Sequence, residues 1–92
     1  MPENSSRKKA VALRYDKAES AAPKVVAKGA GDIADKILAL AREHGIPIHE
    51  DADLVEILAR LNLNQEIPPA TYIVVAEILA FIYRSNESYT RP

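Results

Sequence analysis

A small α/β domain is the fold class that this sequence predicts, and three observations predict it. Residues 10–15, AVALRY, alternate Val11, Leu13 and Tyr15 with smaller or polar neighbours, the period of a strand with one face on a core. From Asp32 onward apolar residues recur every three or four positions, the period of a helix. The chain has 92 residues, 48% hydrophobic and 27% charged, which suits one compact domain and leaves no room for a second.

The elements follow in order. After the first strand, DKAESAAP has the small, polar composition of a turn and closes on Pro23. KVVAKG is a second strand candidate, carrying β-branched Val25 and Val26. The first helix should start at Asp32, with that carboxylate as its cap. Its apolar face is read as Ile33, Ile37, Leu40, Ala41 and His44, and Gly45 should end it in the left-handed conformation. IPIHE, residues 46–50, reads as a third strand and completes a strand–helix–strand crossover.

A second helix should open at Asp53, with Glu56 three residues on in the capping-box relation and Leu54, Ile57, Leu58 and Leu61 on one face. NLNQEIPP breaks it. Pro68 and Pro69 begin a third helix, ATYIVVAEILAFIYR, because proline is tolerated where the first-turn N–H has no intrahelical partner. Between Tyr72 and Tyr83 that helix has one charged residue, Glu77, so its apolar groups point almost all round. One face serves the core, and the surplus could form a groove for a partner or be covered by neighbouring elements.

Composition excludes several function classes. Twelve basic against thirteen acidic residues give a net charge of −1, which offers no general attraction to nucleic acid or anionic membrane. The basic cluster Arg7-Lys8-Lys9 reads as a solvated tail. There is no cysteine, so thiol catalysis, thiolate metal sites and disulfides are unavailable. No apolar run reaches the roughly 18 to 20 residues that span a bilayer, so the expected address is the cytoplasm. His44 and His49 are the only histidines and are scattered, and Glu50, Asp51 and Asp53 are explained by helix capping, so neither a metal nor a cofactor is expected.

The glycines of KGAGDIADK need separate weighing. Gly29-Ala30-Gly31-Asp32-Ile33-Ala34 fits G-x-G-x-x-A between a strand and a helix, and Glu50 lies about 20 residues beyond, as a dinucleotide fingerprint requires. Against this, Asp32 puts a carboxylate where a pyrophosphate would sit, and too little chain follows Glu50 to hold an adenosine. A tight strand-to-helix turn is the stronger reading, and a small nucleotide-binding or regulatory domain is the alternative.

Taken together, AVALRYD, APKVVAKGAGDIADKI, REHGIPIHED and QEIPPATYIVVAEILAFIYR resemble the cytoplasmic C-terminal domain of the FlhB/YscU family, over about residues 10 to 84. These are the substrate-specificity switch proteins of flagellar and type III export gates. The resemblance implies a central sheet of about four mixed strands with helices around it. Residues 1–9 and 85–92 would be flexible tails. It also implies a non-enzymatic docking module, expected to be monomeric, that meets rod- and hook-type export subunits, gate components or the membrane portion of a full-length member.

Two departures matter. The transmembrane helices of full-length members are absent from this sequence, as in stand-alone homologues. The family's self-cleavage motif, Asn-Pro-Thr-His, aligns on Ser5, Ser6, Arg7 and Lys8. In that reaction the asparagine amide attacks its own carbonyl carbon; Ser5 has no amide, so no self-cleavage is expected and the chain could stand in for the family's released fragment. The family's hydrophobic cargo pocket carries over onto Ala22, Pro23, Ala76 and Leu79, with Ala76 and Leu79 on one helical face. The same four residues could equally be ordinary core contacts.

Overall fold

The structure, a computed structural model, describes residues 8–16, 18 and 22–90, the side chains of 83 and 85–90 excepted. The elements are β1 (Lys9–Arg14), β2 (Lys24–Ala30), α1 (Asp32–Glu43), α2 (Ala52–Leu58) and α3 (Pro69–Thr90). β1 and β2 pair antiparallel, from Lys9 opposite Ala30 to Arg14 opposite Lys24, with a register shift between Ala12 and Leu13. Ala12 faces Ala27, yet Leu13 faces Val25, so Val26 is the extra residue of a β-bulge.

The bulge decides which side chains meet. Opposed residues share a face, so Val11, Leu13 and Val25 end up on one side of the hairpin despite the odd spacing along β2. Val25 joins Ala22, Leu58, Ile67 and Val75 in the hydrophobic core, with Val11, Leu13, Leu54, Leu61, Tyr72 and Leu79 packed against it. The opposite side carries small residues, Ala10, Ala12, Ala27 and Gly29, along most of its length before Arg14 and Lys24 at its end, and α1 packs on the hairpin. Ala34 of α1 is fully buried. The hairpin is therefore covered on both faces.

This arrangement corrects several expectations. A sheet of about four mixed strands was expected, but among the described residues there are two antiparallel strands and one isolated bridge, Lys24 to Glu66. The third strand at 46–50 does not form, and neither does the strand–helix–strand crossover. Residues 46–50 are exposed and unpaired in any ladder, and Pro47 has no N–H to contribute to one. The sheet-edge position beside the start of β2 belongs instead to Gln65–Ile67.

The helix ends differ as well. α1 is capped by Gly31, with φ 61°, and no side-chain cap bond is made; Asp32 is the first helical residue, where its charge still favours the helix N-terminus. The α1 face read as apolar is only partly used: Ile33 is 51% and Leu40 55% exposed, because the alanine-lined sheet admits Ala34 at close range. The C-terminus of α1 behaves as expected. Gly45, at φ 68°, donates to the Arg42 carbonyl, and Ile46 donates to Ala41, the two bonds of a Schellman stop.

α2 starts at Ala52 and is capped by Asp51, whose carboxylate accepts from the Leu54 N–H at 3.0 Å. The Asp53–Glu56 capping box is not made. Glu56 reaches the Lys9 ammonium at 2.9 Å and ties α2 to β1. α3 continues past Arg84 to Thr90, beyond the expected helix end.

Packing is tight at Gly29, where any Cβ would overlap the Ile33 side chain. Gly29→Ala should therefore destabilise the domain by about 1–3 kcal/mol in urea titrations, and Ile33→Ala in the same chain should recover part of the loss. Asp51→Ala should lower stability by about 1 kcal/mol through the lost cap, read by the same titration.

Candidate functional site

The start of β2 is the most enclosed stretch of the chain. Ala22 is 8% exposed, Pro23 under 2% and Val25 0%. Proline at this position has its φ already fixed and its missing N–H leaves nothing unsatisfied, so the chain can enter the core at small entropic loss. From α3, Val75 at 3% exposure supplies the facing surface, with Tyr72 and Leu79 one turn to either side. Residues 72, 75 and 79 form a single stripe at helical spacing.

Of the residues singled out from the sequence, Ala22 and Leu79 meet in one cluster, and Pro23 and Ala76 flank it, Ala76 half-buried on the edge of the α3 stripe. Ala22 and Leu79 thus put one apolar contact region between the start of β2 and α3. Ser5, Ser6 and Arg7 lie outside the described residues. Lys8 pairs with Asp35 of α1 at 3.0 Å, and its carbonyl accepts from the Gly31 N–H at 2.7 Å.

Sequence reading missed the loop that covers this junction. Residues 62–68 cross the start of β2 and pair with it: Asn64 N–H donates to the Val25 carbonyl at 2.6 Å, Val25 N–H to Gln65 at 3.0 Å, and Ile67 N–H to Pro23 at 3.0 Å. Ile67 itself is 3% exposed and belongs to the core. The loop is folded by its own polar groups. Asn62 N–H donates to Gln65 Oε1 at 2.8 Å, and Gln65 N–H returns to the Asn62 carbonyl at 3.1 Å. Asn64 takes φ 69°, a conformation that asparagine tolerates better than most residues. An isoleucine directly before two prolines was the available signal, because proline forces the preceding residue toward extended backbone.

Lys28 anchors the near end of the loop. Its ammonium donates to the Leu61 carbonyl at 2.7 Å and the Ala59 carbonyl at 3.1 Å, placing positive charge on the C-terminal end of α2. At the far end, Tyr72 N–H donates to the Pro68 carbonyl at 2.8 Å, and the Tyr72 hydroxyl donates to that of Tyr15 at 3.3 Å. The two rings lie 6.2 Å apart at 56°, which ties α3 to the chain leaving β1. Apolar burial and backbone hydrogen bonding are the interactions this junction offers.

Elsewhere, α3 keeps the surplus apolar surface anticipated from its composition: Ile73 is 65%, Val74 45% and Phe81 63% exposed, on the side away from the core stripe. The glycine turn serves packing between β2 and α1, and the strand that would present Glu50 to a nucleotide is not formed. Among the described residues, no group of three or more His, Asp or Glu side chains is placed to hold a metal ion, and no helix is long and apolar enough to cross a membrane.

Comparison with known proteins gives consistent relatives. The profile of the FlhB HrpN YscU SpaS Family matches residues 6–82. The uncharacterized protein YlqH of Bacillus subtilis (strain 168) is 47% identical over 88 residues, which cover 96% of this chain and 95% of YlqH. The flagellar biosynthetic protein FlhB of Salmonella typhimurium is 45% identical over 75 residues, covering 80% of this chain but only 20% of FlhB. The chain thus spans about a fifth of that full-length relative. Among solved structures, the cytoplasmic domain of FlhB from Shewanella putrefaciens aligns with a TM-score of 0.82 and 38% identity, covering 88% of this chain and 67% of that one. The PscU C-terminal domain aligns with a TM-score of 0.75 and 30% identity, over 82% of this chain and 96% of that one. With a profile matched over most of its length and relatives aligned across it, the chain belongs to the FlhB HrpN YscU SpaS family.

Proposed function

We propose that this chain is a docking module of a flagellar or type III export apparatus, acting on the cytoplasmic side. It captures rod- or hook-type export subunits at the junction of Ala22 and Pro23 with Ala76 and Leu79. The observation that supports this reading most is the meeting of the start of β2 with Leu79 of α3 in one apolar cluster, in a chain of this family. Small side chains at 22 and 76 add little bulk that a larger apolar anchor would have to displace, and removing such an anchor from water favours binding in proportion to its area. No covalent step is part of this function. The chain works in place of the cleaved C-terminal fragment of a full-length member, whose membrane portion would then be its partner at the gate.

Ala76→Glu should weaken capture of a purified hook-type subunit by roughly a hundredfold or more, because the carboxylate would be desolvated on binding. Phe81→Glu, on the opposite side of α3, should leave capture unchanged. Thermal melts of both variants establish that they are folded, and titration calorimetry supplies the comparison; equal losses at the two positions would refute the assignment.

Prolonged incubation of the purified chain should leave its intact mass unchanged. A peptide bond broken between Ser5 and Ser6, seen by mass spectrometry, would contradict the account of the degenerate motif.

A further inference from the structure

Ala22 and Pro23 are too enclosed for an incoming side chain to reach them while residues 62–68 stay in place. That segment is itself bound as a ligand strand would be. It lies antiparallel on Pro23–Val25, makes three backbone hydrogen bonds across a single bridge, and buries one aliphatic side chain, Ile67. Its other residues, Asn62 to Glu66 and Pro68, are exposed, Leu63 at 55%. Fixed points stand at either end, the Leu61 carbonyl held by Lys28 and the Pro68 carbonyl held by the Tyr72 N–H. Both ends are thus held by bonds separate from the pairing with Pro23–Val25.

We propose that residues 62–68 are a strap that occupies the docking site as an internal stand-in for cargo. The ligand is an extended segment of an export subunit. It displaces the strap, takes over the pairing with Pro23–Val25, and seats a branched aliphatic or aromatic side chain where Ile67 was. This inference rests on the docking function proposed above and adds the conformation of the cargo and the event that admits it. Exchange of one strand for another keeps the number of backbone hydrogen bonds constant, so selectivity lies in how well the anchor replaces Ile67. A segment that buries a single side chain and leaves the rest of its residues exposed is also the kind that opens locally.

The bridge offers a direct test. Lys24 and Glu66 face each other at a non-hydrogen-bonded position, since the bonds run from their neighbours, and such pairs bring Cα atoms to about 4.5 Å, within disulfide range. The chain has no cysteine of its own. Lys24→Cys/Glu66→Cys protein is titrated with purified hook-type subunit in oxidised and reduced forms, beside Ala76→Glu. Oxidation should reduce affinity about tenfold or more, and reduction should restore it. Equal binding by the oxidised and reduced forms, with Ala76→Glu inactive, overturns the strap and leaves the docking reading standing. Undiminished binding by Ala76→Glu, or no binding by the unmodified chain, overturns both.

Hydrogen exchange tests the strap without any cargo. The amides of Val25, Asn64 and Ile67 should exchange together, with protection about tenfold or more below that of Val75. Protection equal to that of Val75 would mean that the strap opens only when the whole domain unfolds, and the proposal would be wrong.

Discussion

The rest of this structure depends on how the short run Pro23–Val25 is held. The Val25 side chain is wholly buried among residues of β1, α2 and α3, while its backbone N–H and carbonyl both face the loop 62–68. A strand start enclosed to this degree would leave polar groups stranded if nothing paired with them, and a buried unpaired amide or carbonyl costs about 1–3 kcal/mol. The loop satisfies them and contributes Ile67 to the same cluster. Core packing and backbone satisfaction are thus solved by one segment.

The two faces of the hairpin divide the remaining work. Alanine and glycine on one side let α1 lie close, and Gly29 cannot be enlarged without meeting Ile33. Valine and leucine on the other side meet α2 and α3. The bulge at Val26 makes the division possible, since without it Val25 would turn away from Leu13. In so small a domain the core is shallow, so long-range polar ties carry some of the cohesion: Lys9 to Glu56 joins β1 to α2, and Lys28 joins β2 to the end of the same helix.

Periodicity made most of the fold legible. Val11 and Leu13 do face the core, the helix starting at Asp32 stops through Gly45, and α3 carries more apolar surface than the core consumes. The bulge was illegible because it depends on which residues lie opposite one another across the hairpin, which no local pattern reveals. Residues 46–50 were misread for the converse reason. Their alternation suits a strand, but a strand needs a partner edge, and Pro47 and the bridge at Glu66 leave none for it. Asp51 won the cap position over Asp53 by a choice of two residues among several acidic candidates, a margin that propensity does not resolve. At the candidate site, Ala22 and Leu79 were named from family resemblance and share one apolar cluster, whereas Ile67 was hidden in a segment read as a helix break.

In this account the enclosed start of β2 is both the centre of the core and the seat of recognition, and a loop reconciles the two roles by filling the seat until cargo arrives. Other apolar surfaces compete with it as explanations, notably Ile33 and Leu40 on α1 and Ile73 and Phe81 on α3. The most direct discrimination is an isotope-filtered NOE experiment on labelled chain with unlabelled hook-type subunit. Docking at the start of β2 requires intermolecular cross-peaks at the Val25 amide and the Leu79 methyl groups; cross-peaks confined to Ile33 and Leu40, or to Ile73 and Phe81, would refute it.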